Sequence, residues 1–275
     1  MPASLAPDPS SRPGPPDLGV TLRRVVASEW IKFWSLRSTA YTLLGAVVAL
    51  VGFGLIAASV TSGGGTMEGP GEGTTTDPTG ISLAGTELAQ LVIGTLGVLL
   101  LAGEYSTGMI RSTLVAVPRR LPTLWAKAAV FTGVLLTVGA ISVTGTFFAG
   151  QAVLGSDGAS LADPGVLRAV AGAVVYLTGI GLLGMTFGAI LRNTAGAVTT
   201  LFAVIWLIPG LMEVALPDSW HDRVGPYFPS TAGSAFMTVN PGPDLLSPGA
   251  GLAAFAGWLV VLLGAAAWQL KRRDA

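Results

Sequence analysis

The residue types that do chemistry are scarce in this chain. It has three lysines, one histidine and no cysteine. The absence of cysteine excludes disulfides, zinc–thiolate sites and thiol catalysis. A phosphate-binding loop of the form Gly-x-x-x-x-Gly-Lys-Ser/Thr needs a lysine preceded by glycine and followed by a hydroxyl residue. Lys32, Lys127 and Lys271 meet neither condition, so the chain is not expected to hydrolyse ATP by itself. His221 lies between Asp218 and Asp222 and reads as a surface histidine, because a metal site or a triad needs more partners. No His-Glu-x-x-His is present for a metalloprotease. Glu87 and Glu213 fall near the ends of apolar runs, where water reaches them, whereas a proton relay wants acids deeper in a bundle. No catalytic residue, cofactor or metal site is expected, and the chain is not expected to be an enzyme.

Two carboxylates stand out by position. Glu29 projects from the apolar arc of the stretch Val20 to Ser38. On a helical wheel Leu22, Val25, Val26, Trp30, Phe33 and Leu36 share one face, and Arg24, Ser28, Lys32 and Ser35 the other. The stretch is too charged to cross a bilayer and is predicted to lie along its surface, with Trp30 and Trp34 at headgroup level. A carboxylate on its apolar side wants a cation from a neighbouring loop. Glu104 sits where a second apolar run ends, followed by Tyr105, Gly108, Arg111, Pro118, Arg119 and Arg120. Met109 to Val117 is predicted to form a short helix stopped by Pro118. A fold-back at Gly108 would bring Arg111, Arg119 or Arg120 to Glu104, with Glu29 joining the same cluster. Each stretch also has a plainer reading, as a membrane anchor and as a basic loop without a partner.

The elements that must position these residues are membrane spans. Only 11% of residues are charged, less than half the roughly one quarter usual for soluble domains, and mean hydropathy is +0.67. A chain so poor in charge cannot wet the surface of a soluble core. About 20 apolar residues cross a hydrocarbon core as helix. Six segments have that length, at 40–60, 83–103, 128–150, 167–191, 195–216 and 250–270. The fold expected is an all-α integral membrane bundle of six transmembrane helices with an N-terminal interfacial amphipathic helix. Residues 1–18 read as a disordered cytosolic tail, 19–38 as the amphipathic helix and 39–275 as the six-span domain. Gly181, Gly184, Gly188, Gly94 and Gly97 supply small residues for close helix packing within one bundle, with a dimer face as the alternative.

Thirteen of the fifteen basic residues fall on alternate connections, Arg168 and Arg223 being the exceptions. The positive-inside rule makes that set cytoplasmic, with both termini inside. Between Pro217 and Pro248 the aromatics Trp220, Tyr227, Phe228 and Phe236, broken by prolines, suit either an outer-leaflet re-entrant segment or an interfacial loop.

The order of these elements resembles bacterial ABC-2 type permeases, the membrane subunits of ATP-driven transporters. Those proteins often open with Glu-Trp-x-Lys and then Arg-Ser, matched here by Glu29, Trp30, Lys32, Arg37 and Ser38. After their second span comes a pattern matched by Glu104, Tyr105, Gly108, Ile110, Arg111 and Leu114. Pro118, Arg120, Ala126 and Lys127 continue it, and the chain ends Arg273-Asp274-Ala275. The likeness runs from about Val20 to the end. It implies that the first stretch is a connecting helix. It implies that the loop after span two docks a cytosolic ATPase, through Glu104, Tyr105, Gly108, Arg111, Pro118, Arg119 and Arg120. It also implies two ATPase subunits per complex, a second permease copy or a sibling permease, a bacterial plasma-membrane location and no nucleic-acid partner. The cargo expected is amphiphilic or hydrophobic and exported, because spans two and five have few polar groups. An ion-driven secondary transporter, with Pro209-Gly210 as the candidate helix break, and a non-transporting scaffold are the alternatives.

Overall fold

The apolar runs form helices because a backbone in hydrocarbon must satisfy its own hydrogen bonds. The computed structural model of the chain describes residues 21–65, 77–106, 108, 120–215 and 223–272. Among them the first helix is α1 (Leu22–Ser35), followed without a loop by α2 (Arg37–Ser62). A short α3 (Pro78–Leu83) precedes α4 (Thr86–Ser106). The remaining long helices are α5 (Arg120–Leu154), α6 (Val166–Leu191) and α10 (Pro248–Arg272). Between the last two come α7 (Thr194–Phe202), a π turn (Ala203–Leu207), α8 (Ile208–Ala215) and α9 (Pro229–Met237).

Six of these units are long and apolar enough to cross a membrane: Arg37–Ser62, Pro78–Ser106, Leu121–Asp157, Val166–Leu191, Thr194–Met212 and Pro248–Arg272. The chain is thus a multi-pass, all-helical membrane protein in its described residues. Most helices overrun the expected segments by a few residues, while the fifth span ends short of the expected 216. The largest difference is α5, which begins eight residues before the expected 128. Its first turns carry Lys127 and other polar groups that a hydropathy window rejects but a helix tolerates.

Spans two and four form the centre. Of the most apolar window in each, 61% and 78% is buried, against 17% in spans five and six. They run parallel and touch through glycine. A side chain at Gly97 would meet the carbonyl of Gly181, and one at Gly184 the carbonyl of Gly94. Gly188 lies against Val98. Lipid offers no hydrophobic drive for helix pairing, so backbone contact of this kind is what dispersion can use. The glycines expected to mediate packing do so inside one chain.

At one end of the bundle, polar contacts fasten the short helices. Asp77 caps α3 by accepting from the Thr79 amide. Gln151 of α5 donates to the Pro78 carbonyl and to the Ser82 hydroxyl, at 3.0 and 2.9 Å. Arg168 donates to the carbonyls of Phe236, Thr238 and Val239, where α9 ends. A cation there meets the negative end of the α9 dipole as well as its orphan carbonyls. That accounts for one of the two basic residues outside the predicted cytoplasmic set. Just before α9, Phe228 stacks on Trp258 of α10 and Trp258 donates to the Tyr227 carbonyl. Trp220 lies outside the described residues.

The break foreseen at Pro209-Gly210 takes a specific form. Proline lacks the N–H that would bond four residues back, and its ring crowds that carbonyl. The preceding five residues widen into the π turn, whose Ile208 amide bonds to Ala203, five residues back.

Candidate functional site

The site is built from three helix segments far apart in sequence. In α1, residues Val25, Glu29 and Phe33 fall at spacings of four and form the buried stripe. Phe33 reaches Phe131 of α5, with centroids 6.2 Å apart, which seats α1 against α5. This stripe is narrower than the wheel predicted. Leu22, Trp30 and Leu36, expected on the apolar face, are 60%, 49% and 43% exposed. The stretch also divides: Leu36 is extended, and Arg37, expected in the connecting helix, is the first residue of α2.

Glu29 therefore points inward, one turn before Phe33. Glu104 comes to the same place from the end of α4, and Lys127 from the third turn of α5. The Lys127 ammonium lies 2.5 Å from Oε2 of Glu29 and 2.9 Å from Oε1 of Glu104. Lys32 also bonds to Oε1 of Glu104 and lies 3.6 Å from Oε1 of Glu29. Two carboxylates and two ammonium groups thus form a closed, alternating network. The side chains of Glu29, Glu104 and Lys127 are each 6% exposed, and that of Lys32 is 22% exposed. Burying ions this deeply costs several kcal/mol each unless each is paired and hydrogen-bonded. Alternation of sign meets that condition.

Most of the expected site residues lie here or beside it. Tyr105 follows Glu104, and the Arg192 guanidinium sits 4.9 Å from its ring centroid, a cation–π contact that brings the turn between spans four and five to the same end. Arg192 itself takes a positive φ of 53°, closing α6. Gly108 also takes a positive φ, 72°, and its amide bonds back to the Tyr105 carbonyl, so the chain turns as it leaves α4. Trp30 and Trp34 meet edge to face with centroids 5.9 Å apart, both about half exposed. Arg37 is exposed. Arg111, Pro118 and Arg119 lie outside the described residues, as does the short helix expected over Met109 to Val117 and the side chain of Arg120. The described cations at Glu104 are Lys32 and Lys127.

Lys32 and Lys127 are where sequence reasoning and structure part. A wheel drawn on α1 alone put Lys32 on the solvent side, yet it turns toward α4. Lys127 follows a basic loop and is counted with it by the charge alternation, yet it lies within α5. A cation in the run Trp125-Ala126-Lys127-Ala128-Ala129 was the available signal, since charge inside an apolar stretch is rarely unpaired.

No protein-family model matches the chain, and no curated protein matches it. The functional reading comes from the geometry and from the motif order.

A second polar group lies nearer the other end. Tyr176 donates to Oε1 of Gln90 at 2.5 Å, and Gln90 donates to Glu87 at 2.6 Å. Glu87 is half-buried rather than freely hydrated. The Glu213 side chain and His221 lie outside the described residues. Among the described residues no three His, Asp or Glu side chains converge as a metal ion would need.

Proposed function

We propose that this chain is the membrane subunit of an ATP-driven ABC-2 type transporter, exporting an amphiphilic or hydrophobic substrate. The observation that carries the reading is convergence. Glu29 and Lys32, Glu104, and Lys127 belong to the three separate stretches on which the resemblance rests, and all four meet in one ionic network. Motif residues that are distant in sequence and joined in space share a role.

In this reading α1 is the connecting helix and lies along the cytoplasmic membrane surface of a bacterial plasma membrane. Both termini are cytoplasmic. The loop after α4 docks a cytosolic ATPase, two of which serve a pair of permeases, either two copies of this chain or this chain and a sibling. The chain binds no nucleotide and catalyses nothing itself. Residues 1–18 belong to the cytosolic side, and the stretch 217–249 either re-enters the outer leaflet or lies along its surface. The network is the rigid joint of the device: motion delivered at the loop moves α4, and Glu104 passes it to α1 and α5 through two lysines. Flexible contacts would dissipate that displacement, whereas buried ion pairs resist it.

The test is affinity capture of the tagged chain from its native membrane, followed by reconstitution. The reading requires a co-purifying ATPase, no ATPase activity in the chain alone, and transport abolished by mutating the partner's Walker lysine. An ion-gradient transporter is the second reading, favoured by the π turn before Pro209. Transport that survives the Walker mutation and follows an imposed ion gradient would select it. A chain that captures no ATPase and moves nothing would be a scaffold.

A further inference from the structure

A cavity of about 370 Å³ opens beside the ionic network, between α1, α2, α4 and α5. That is within the ~300–1,000 Å³ typical of small-molecule sites. Leu96, Leu99 and Leu100 of α4 and Val130 of α5 make its apolar wall. Its polar end holds the four charged groups, with Ser38, Thr39 and Thr42 from the first turns of α2. Leu36 and Leu99, both lining it, are 43% and 42% exposed, so it opens sideways on the apolar flank of the bundle.

We propose that this cavity holds one anionic phospholipid of the bilayer, its headgroup phosphate at Lys32 and the start of α2 and an acyl chain along Leu96, Leu99 and Leu100. Three observations select this occupant. First, the cavity is polar at one end and apolar along its length, the division an amphiphile has. Second, the sign of the polar end is positive where it is accessible. Both carboxylates are buried against ammonium groups, and Lys32 is the member of the network with the largest exposure. No side chain caps α2, so its N-terminal amides add partial positive charge at the same rim. Residues 22–38 carry Arg23, Arg24, Lys32 and Arg37 against a single acid, Glu29. Third, exposed Trp30 and Trp34 on α1 are side chains that settle at the headgroup level of a bilayer. The hydroxyl of Ser38 lines the cavity and can donate to a phosphate oxygen, whereas that of Thr42 already donates to the Ser38 carbonyl.

Gly103 makes the proposal testable. It lines the cavity, and a Cβ added there meets nothing within 4 Å. Gly103→Phe therefore fills the cavity without a clash at the first carbon. Gly133, exposed on α5 with equally open space, is the matched control.

The experiment is native mass spectrometry of the delipidated full chain. It is titrated with phosphatidylglycerol, with phosphatidylcholine of the same acyl chains, and with glycerol 3-phosphate. The wild type should retain one phosphatidylglycerol at about a tenfold lower concentration than phosphatidylcholine. Gly103→Phe should raise that concentration about tenfold, and Gly133→Phe should leave it unchanged. Lys32→Gln should remove the preference between the two lipids. If that variant does not fold, the Gly103→Phe and Gly133→Phe pair decides alone. Equal retention of both lipids by the wild type, or undiminished retention by Gly103→Phe, overturns the proposal. Tight binding of glycerol 3-phosphate would assign the site to a soluble anion and overturn it as well. The assignment stands apart from the transporter reading: a chain that recruits no ATPase yet retains the lipid would sink the one and keep the other.

Discussion

Lys127 and Glu29 lie 98 positions apart in the chain and meet at 2.5 Å, both buried. The contact ties the first helix to the start of the third span, and Glu104 joins it through the same ammonium group at 2.9 Å. One cation thus holds three helices.

Removing that cation leaves two buried carboxylates to share Lys32 alone. Lys127→Met should cost about 3–5 kcal/mol, the loss seen when one member of a buried ion pair is deleted. The measurement is the thermal midpoint in detergent. Glu29→Gln combined with Lys127→Met should be less damaging than the two single losses summed, because it removes opposite charges together. Additive losses would show that the residues act independently.

Glu104→Gln retains shape and loses charge. Its expected effect is a transporter that inserts and assembles, yet hydrolyses ATP in its partner without moving substrate. Substrate-stimulated ATPase and transport are read side by side in vesicles. Thermal stability should fall in the same variant, since an exposed pair would lose at most about 1 kcal/mol and a buried one several times that. Coupling and stability both unchanged would show that the Glu104 charge carries neither the joint nor the transmission of motion.

The glycine contact between spans two and four sets a steric prediction. Gly184→Val places methyl groups against the Gly94 carbonyl and should sharply reduce the monodisperse fraction on size-exclusion chromatography. Overpacking costs about 1–3 kcal/mol, and here the obstacle is backbone. Gly52→Val, in open space on α2, should behave as wild type.

Orientation is tested with single cysteines, which this cysteine-free chain accepts without background. Cysteine at Thr74 or Ser160 should react with an impermeant reagent from outside, and cysteine at Ser112 or appended after Arg273 should not. The reverse pattern would invert the membrane orientation and remove the docking-loop assignment.

Six spans were legible in the sequence because each is a long apolar run, and in lipid a long apolar run has one stable backbone form. The charge alternation was legible for the same reason: loops carry what spans exclude. Glu29 was readable as a buried acid from its place on an apolar arc. Its cation was not, because a wheel describes one helix and the choice between Lys32, Lys127 and the loop arginines depends on how three helices pack. The π turn was half-legible: Pro209 marked a disturbance, but the sequence does not say whether the helix before it tightens or widens. The cavity beside Lys32 had no signal at all, since the leucines that line it are indistinguishable by type from those that fill the core.

Spans two and four run in the same direction and touch through backbone, so a third span must cross and leave before they can meet. During synthesis the second span therefore waits, with Gly94 and Gly97 facing lipid or the insertion machinery, until the fourth arrives. Spans five and six are added later to a pair already joined, and only 17% of their most apolar windows is buried. A chain cut after Leu191 should then survive quality control better than one cut after Leu154, although it is only one span longer.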